Sequence, residues 1–398
     1  MNDVQALDDM DDHSDIFGND LEYVAKDLRK KKDFKPWHRP RKQFVREEQW
    51  CTAISNLADA IDFDSRALRY IGLPGDELFD LRTIHEIVCK PRDLRLRFLG
   101  FNNAAANEDG DDGFELDLST VEVKTLVGVD GQSKVMPDDF KSLGVRNSMA
   151  WINARQIGHF DVINVDLCDG LFTSKPGVTS DSYYNAIKEL ISFQSRRADP
   201  WLLFLTTRVG SNDVHANTVS LLRECLDSNI KTCPQFVKET QKHLGFSSIE
   251  EIDTLLKDPK GFSDIFSTGI SKWLIGLGMT TNPKWKVSLV SLWNYTVFPQ
   301  SEHPDLISAI YEFSLIEMPA EDKVGLVLAQ KAPAPKPPTE CSLAAEVVPF
   351  VANTMNVDGY LEENQPLMMD YINKSAVLFE KARYVSDDYR KWIVENNK

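Results

Sequence analysis

The sequence predicts an α/β fold: a mostly parallel, Rossmann-like sheet with a terminal antiparallel strand pair. Three stretches carry that expectation. In the first, residues 160–165 form a compact β-branched-rich run between Gly158 and Gly170 and lead into the polar end Asp166-Leu167-Cys168-Asp169. The second, Trp201-Leu202-Leu203-Phe204-Leu205, repeats the pattern before Thr206-Thr207-Arg208, and between the two Tyr183, Ile187, Leu190 and Ile191 share one helical face. Strand, crossover helix and strand make a βαβ unit, in which helices on both faces let the strands be continuously apolar. In the third, residues 285–298 and 305–318 read as two strands joined through Pro299 and Pro304, an antiparallel pair that ends the sheet.

A chain of 398 residues exceeds one typical core, so the expectation is a large domain with appendages. An apolar fraction of 42% and eight tryptophans are enough for a sizeable core, and the net charge is −16. That balance argues against a surface that binds nucleic acid or anionic membrane as a whole; any such contact must be local. No run is long and apolar enough for a membrane helix, and the Asp-rich start is the opposite of a signal peptide, so no membrane partner and a cytoplasmic location are expected. Cys51, Cys89, Cys168, Cys225, Cys233 and Cys341 are scattered without a CxxC or a Cys/His cluster, which leaves zinc and redox motifs without support and predicts mostly buried thiols. Cys168 alone stands just past a strand end, where sites are built.

The opening of the chain is split by charge. Residues 1–25 carry eight acidic side chains and no Lys or Arg, whereas 26–46 carry ten Lys or Arg against Asp27 and Asp33. The acidic part has little to bury and is expected to be disordered. The basic arm 26–46 interleaves Trp37 and Phe44 with cations, a pattern that suits a nucleic-acid or protein partner or, equally, an arm that packs its aromatics on its own domain. From Trp50 the pattern turns helical, with Ile54, Leu57, Ala58 and Ile61 on the same face, a helix expected to cover the sheet's edge.

A first β-turn-α-β unit follows: a strand through Arg69, Tyr70 and Ile71, the turn Gly72-Leu73-Pro74-Gly75-Asp76, a helix over 78–88 and a strand over 94–101 closed by Asn102-Asn103. Val121, Val123, Thr125 and Val127 alternate, which favours an extra strand or hairpin within 114–135. Met136-Pro137-Asp138-Asp139 reads as another strand-end loop, and 142–157 as a helix. Residues 212–282 read as a helical insertion in which Ser247-Ser248-Ile249-Glu250 has capping-box spacing. The proline-rich stretch 331–339 reads as an extended linker, and 340–398 as a small helical module. The expected organisation is therefore a disordered acidic segment and basic arm (1–47), a main domain (48–330), the linker and the module.

A helix leading into a glycine turn, alternating strands and helices, and a final antiparallel pair resemble the class I S-adenosylmethionine-dependent methyltransferases over residues 48–320. The resemblance implies that the turn after the first strand, with Gly72, Pro74 and Gly75, brings its backbone to the methionine part of the cofactor, where a Cβ would block the approach. The family's usual arrangement there is Asp/Glu-x-Gly-x-Gly-x-Gly, and this chain has only two glycines and a proline. The family's ribose-binding acid at the end of the second strand is replaced by Asn102 or Asn103, an amide without charge assistance. Asp138 or Asp139 would stand on the adenine side, and Asp166 and Asp169 would face the methyl group as the carboxylates able to orient or deprotonate an acceptor. Asp166 capping a strand-to-helix turn and Asp169 belonging to an Asp-Gly turn account for the same residues. His159, at the opposite end of its strand, reads as structural. No Asn/Asp-Pro-Pro-Tyr/Phe motif is present, which leaves the amino-methylating nucleic-acid enzymes without support.

The loss of both cofactor signatures also fits a non-catalytic methyltransferase-fold scaffold that binds a protein or nucleic acid. A dinucleotide-dependent oxidoreductase fits least, because no G-x-G-x-x-G precedes an acidic strand end.

Overall fold

The computed structural model describes residues 33–61, 63, 67–103, 111–167, 170–298, 301, 303–317 and 336–396. The acidic stretch 1–25, the cations Arg29 to Lys32, Cys168, Asp169 and the linker's Lys331 to Pro335 lie outside them. Eight strands form one sheet: β1 (Leu68–Gly72), β2 (Leu96–Phe101), β3 (Lys134–Met136), β4 (Val162–Asp166), β5 (Trp201–Arg208), β6 (Trp285–Tyr295), β7 (Leu306–Leu315) and β8 (Met355–Asn356). Their spatial order is β3-β2-β1-β4-β5-β7-β6-β8. From β3 to β5 the neighbours are parallel, and β7 is antiparallel to both β5 and β6. The expected α/β sheet and its antiparallel end are both present.

Residues alternate between two cores along each strand. On β4, Ile163 and Val165 face a core built with Trp151, Leu190 and Phe266, while Val162 faces the core of Trp50, Ile54 and Leu81. This two-sided burial explains why the parallel strands read as unbroken apolar runs.

The helix expected from Trp50 begins earlier and covers a face of the sheet. A 3-10 turn (Pro36–His38) leads into α1 (Pro40–Phe44), a π-helical stretch (Val45–Cys51) and α2 (Thr52–Ala60). Trp50 stacks on Phe204 of β5 at 5.8 Å and donates to Ser308 Oγ on β7 at 3.2 Å. Both partners are interior strands, so the helix lies across the middle of the sheet. Phe44 is buried against Trp293 and Tyr371, while Trp37 remains 39% exposed.

The next unit contains α3 (Phe79–Ile84), which continues as a π turn (His85–Cys89). The strand or hairpin expected in 114–135 is instead α4 (Asp111–Lys124), followed by the short β3. Leu116, Ser119 and Val123 are buried at helical spacing, whereas Val121 and Val127 are exposed, so the alternating valines were a surface coincidence. The expected helix over 142–157 is a 3-10 turn (Phe140–Gly144) and α5 (Met149–Ile157), the latter capped by Ser148. The crossover is α6 (Tyr183–Gln194), and four helices fill the insertion: α7 (Ala216–Thr232), α8 (Pro234–His243), α9 (Ile249–Leu255) and α10 (Pro259–Thr280).

Residues 340–396 do not stand apart as a module. In α11 (Glu340–Ala352), Val347 and Val351 join the main core; β8 extends the sheet beside β6; and Tyr371, in α13 (Gln365–Glu380), lies in the opposite core. α12 (Val357–Glu363) and α14 (Ser386–Asn396) complete this region. Two of the cysteines expected as thiols, Cys233 and Cys341, form a disulfide that ties the insertion to α11. Cys51 and Cys89 are buried thiols. Among the described residues, no helix is long and apolar enough to cross a membrane.

A cleft at the carboxyl edge of the sheet

The strand order reverses between β1 and β4, and the carboxyl ends on either side of such a switch point leave a crevice in open α/β sheets. A cavity of about 680 Å³ opens there. Pro74, Gly75, Asn102, Asn103, Asp138, Asp139 and Asp166 all line it, so seven residues singled out in the sequence meet on one surface. Gly170 lines it too, next to Asp169 in the chain.

Gly72 does not line it. A Cβ there would come within 2.5 Å of the Asn164 carbonyl on β4, so this glycine serves strand packing. At Gly75 a Cβ would meet no protein atom within 4 Å, so packing within the protein does not itself require glycine there. The close approach lies instead at Gly100, where a Cβ would stand 2.7 Å from Pro74 Cγ. Pro74 thus leans on β2 across a bare backbone, which fixes the turn over the cleft.

Asn102 holds that turn. Its Nδ2 donates to the Pro74 carbonyl at 3.3 Å and to Asp76 Oδ1 at 2.9 Å. Asp76 lines the cleft as well. Asp138 and Asp139 are engaged locally: Asp138 Oδ1 accepts from Ser142 Oγ at 2.8 Å, and Asp139 Oδ1 caps the 3-10 turn from Lys141 N at 2.9 Å. Lys141 then reaches over the Tyr183 ring at 5.1 Å, and both residues belong to the cleft wall.

Part of the lining is a charge network that the sequence did not reveal. Asp166, at the end of β4, is paired with Lys42 Nζ from α1; Lys42 also donates to Tyr295 Oη at 3.3 Å and lies 4.5 Å from the centre of the Trp50 ring. One turn on, Arg46 Nε donates to Asp80 Oδ1 at 2.6 Å. Burial works against the Lys42 charge, but Asp166, with Tyr295 and Asp80 adding to it, outweighs burial and holds the ammonium above its ordinary range. Burial likewise opposes the Arg46 charge, and Asp80 outweighs it. Burial pushes the Asp80 carboxyl up, and Arg46 only partly offsets this. The Tyr70 phenol is raised by burial and then by Asp80; its oxygen accepts from Asn164 Nδ2 at 2.9 Å.

The signal for Lys42 was available in the spacing. It precedes Gln49 by seven residues and Trp50 by eight, on the face that the Trp50 helix turns to the sheet, and it is only 5% exposed. The basic arm is therefore partly interior. Lys35, Trp37, His38, Lys42 and Arg46 all form the cleft's roof. Among the described residues the lining carries six carboxylates, from Asp76, Glu77, Asp80, Asp138, Asp139 and Asp166, against four Lys or Arg. His159 lies at the other end of β4 with its ring 4.9 Å from Phe193; burial and then Arg197 hold its imidazole below the ordinary range.

Fold and cleft together define an α/β protein of the Rossmann-like kind with a preformed crevice at the topological switch point. The chain belongs to the PP_RS20740-like family, whose description matches residues 31–394 and names no activity. No curated protein matches the chain.

Proposed function

We propose that the protein binds S-adenosylmethionine in this cleft and is methyltransferase-like, with an acceptor not yet known. The observation that carries the reading is the convergence of Pro74, Gly75, Asn102, Asn103, Asp138, Asp139 and Asp166 on one cavity of about 680 Å³, within the range of small-molecule sites. The excess of carboxylates in the lining suits a cationic ligand, and a sulfonium is one. When bound, the cofactor would supply an electrophilic methyl group.

The protein's part is to hold and orient. The turn through Pro74 and Gly75 would take the methionine end, and the Asp138–Asp139 loop the adenine side. Asp166 would stand opposite the methyl group: with Oδ1 held by Lys42, its second oxygen is the one left to orient an acceptor or receive its proton. Asp169 keeps its proposed place beside it.

Calorimetry with S-adenosylmethionine and S-adenosylhomocysteine tests this directly. Binding at high micromolar or weaker is expected from both, and absence of heat from both at millimolar concentration would remove the reading.

A second reading, a scaffold without catalysis, is favoured by the Lys42–Asp166 pair, because a carboxylate oxygen already engaged by a buried ammonium is less available to orient an acceptor or take its proton. It takes over if no S-adenosyl compound binds. We also propose a cytoplasmic location and a nucleic-acid or protein partner at the basic arm. Within that arm Lys42 and Arg46 are committed to carboxylates, so such a partner would be met by other cations. Cell fractionation with and without nuclease reads both: recovery in a membrane pellet overturns the first, and nuclease-insensitive, partner-free sedimentation the second.

A further inference from the structure

We propose that a second, smaller cavity beside the cleft is an oxyanion subsite, which takes the carboxylate or phosphate end of a second ligand; that this ligand is the methyl acceptor rests on the S-adenosylmethionine reading above. The cavity encloses about 10 Å³, the space of one water-sized group, and its wall includes Arg39, Arg41 and Thr206. Trp37, Lys42, Asp166 and Leu167 line both this cavity and the cleft, so the two meet at the Lys42–Asp166 pair.

Two polar groups in the wall lack partners. Among the described residues, Arg39 Nε and Thr206 Oγ1 are buried without a hydrogen bond, and Thr206, the register partner of Asp166 on β5, is only 1% exposed. Leaving a buried donor unpaired is costly, so two of them in one wall point to a ligand that pairs them. Both can donate, one as a guanidinium N–H and one as a hydroxyl, which selects an acceptor-rich group such as an oxyanion.

The charges agree with that choice. Lys42 and Asp166 offset each other, and Arg41 meets Asp358 Oδ1 at 2.8 Å while Asp358 Oδ2 accepts from Thr296 N at 2.7 Å. Arg39 makes no ion pair among the described residues; its Nη2 donates to the Asn396 carbonyl at 3.1 Å. Burial and then Arg41 hold the Arg39 guanidinium below its ordinary range, and Asp358 and Tyr389 offset this only in part. An oxyanion beside Arg39 would counter the repulsion from Arg41 and take up the unpaired Nε–H. The cavity's size limits what enters: one oxygen fits inside, and the ligand's body lies outside on Trp37, which is 39% exposed. A flat aromatic body suits that ring.

The experiment is calorimetry on the full-length protein at constant ionic strength with naphthoate, naphthyl phosphate and neutral naphthamide, with and without S-adenosylhomocysteine. At least one anion is expected to bind the wild type roughly ten- to a hundredfold tighter than the amide, the value of a hydrogen bond to a charged group. The tighter anion names the source as carboxylate or phosphate. Arg39→Gln and Thr206→Val should each cut this preference and leave the amide's affinity unchanged, whereas Trp37→Ala should weaken all three probes alike. Equal binding of anions and amide by the wild type overturns the proposal, as does absence of heat from both anions at millimolar concentration. A preference that survives both Arg39→Gln and Thr206→Val also overturns it, because the anion is then held elsewhere. Should Arg39→Gln melt early through loss of its bond to Asn396, Thr206→Val alone decides. If S-adenosylhomocysteine binds and the anions show no preference, only this proposal fails. If the anions bind as expected and S-adenosylhomocysteine gives no heat, the subsite stands and the methyl-acceptor role falls with the S-adenosylmethionine reading.

Discussion

Lys42 and Asp166 show how one pair of side chains ties cleft to core. Each is buried or nearly so, and each removes the cost of the other's charge. Asp166→Asn should therefore destabilise the fold by about 3–5 kcal/mol, because it leaves a buried ammonium without its counter-charge. Adding Lys42→Met should recover most of that loss, and urea unfolding of the two single variants and the double variant measures it. If the double variant loses the sum of the two single losses, the pair is not coupled. The pH dependence has a definite sign. The Lys42 ammonium is held above its ordinary range in the folded state, so its stabilisation is complete below the ordinary lysine value of about 10.4 and is lost as the pH rises through the folded value. Asp80 has the same sign in an acid window: its carboxyl is raised by burial, so its contribution is most favourable below the ordinary value of about 3.9 and is lost as the pH rises through the raised folded value. The stability gap between wild type and Asp166→Asn should accordingly narrow as the pH rises through the alkaline range, because the contribution that Asp166 gives to Lys42 is lost there.

At the scale of elements, the legible parts were those whose burial leaves a periodic trace. β4, β5 and α6 were readable because two-sided burial demands unbroken apolar strands and a one-sided crossover helix. α4 was not, because its buried face includes Ser119, and the exposed Val121 and Val127 supplied a false alternation. The start of α1 was hidden by charge: a lysine and an arginine inside a basic run look solvated until the carboxylates opposite them, Asp166 and Asp80, are brought up by tertiary folding. For the same reason the sequence located the cleft's strand-end residues but missed its roof. The disulfide was equally unreadable, since Cys233 and Cys341 are 108 residues apart in sequence and only 5.7 Å apart at Cα. It closes a long loop, so reduction or Cys341→Ser should lower stability by about 2–4 kcal/mol. Thermal melts with and without reductant check this, and unchanged midpoints would show that packing of α11 alone holds the junction.

At the scale of the whole molecule, the ends of the described chain meet beside the cleft. Phe34 packs among Phe379, Tyr384, Tyr389 and Trp392; Tyr389 Oη donates to the His38 carbonyl at 2.9 Å; and Tyr384 Oη donates to Glu77 at 2.6 Å. His38 and Glu77 are cleft residues. This has a consequence in time. During synthesis the roof segment emerges from the ribosome well before its aromatic seat, so the pocket cannot close until that seat has emerged. Contacts of such sequence separation form late and carry the full entropy of a long loop. A nascent chain arrested before α13 would hold the sheet and the glycine turn but leave Phe34 without Phe379, Tyr384, Tyr389 and Trp392, and a ligand that needs the roof would be captured only once those residues have emerged.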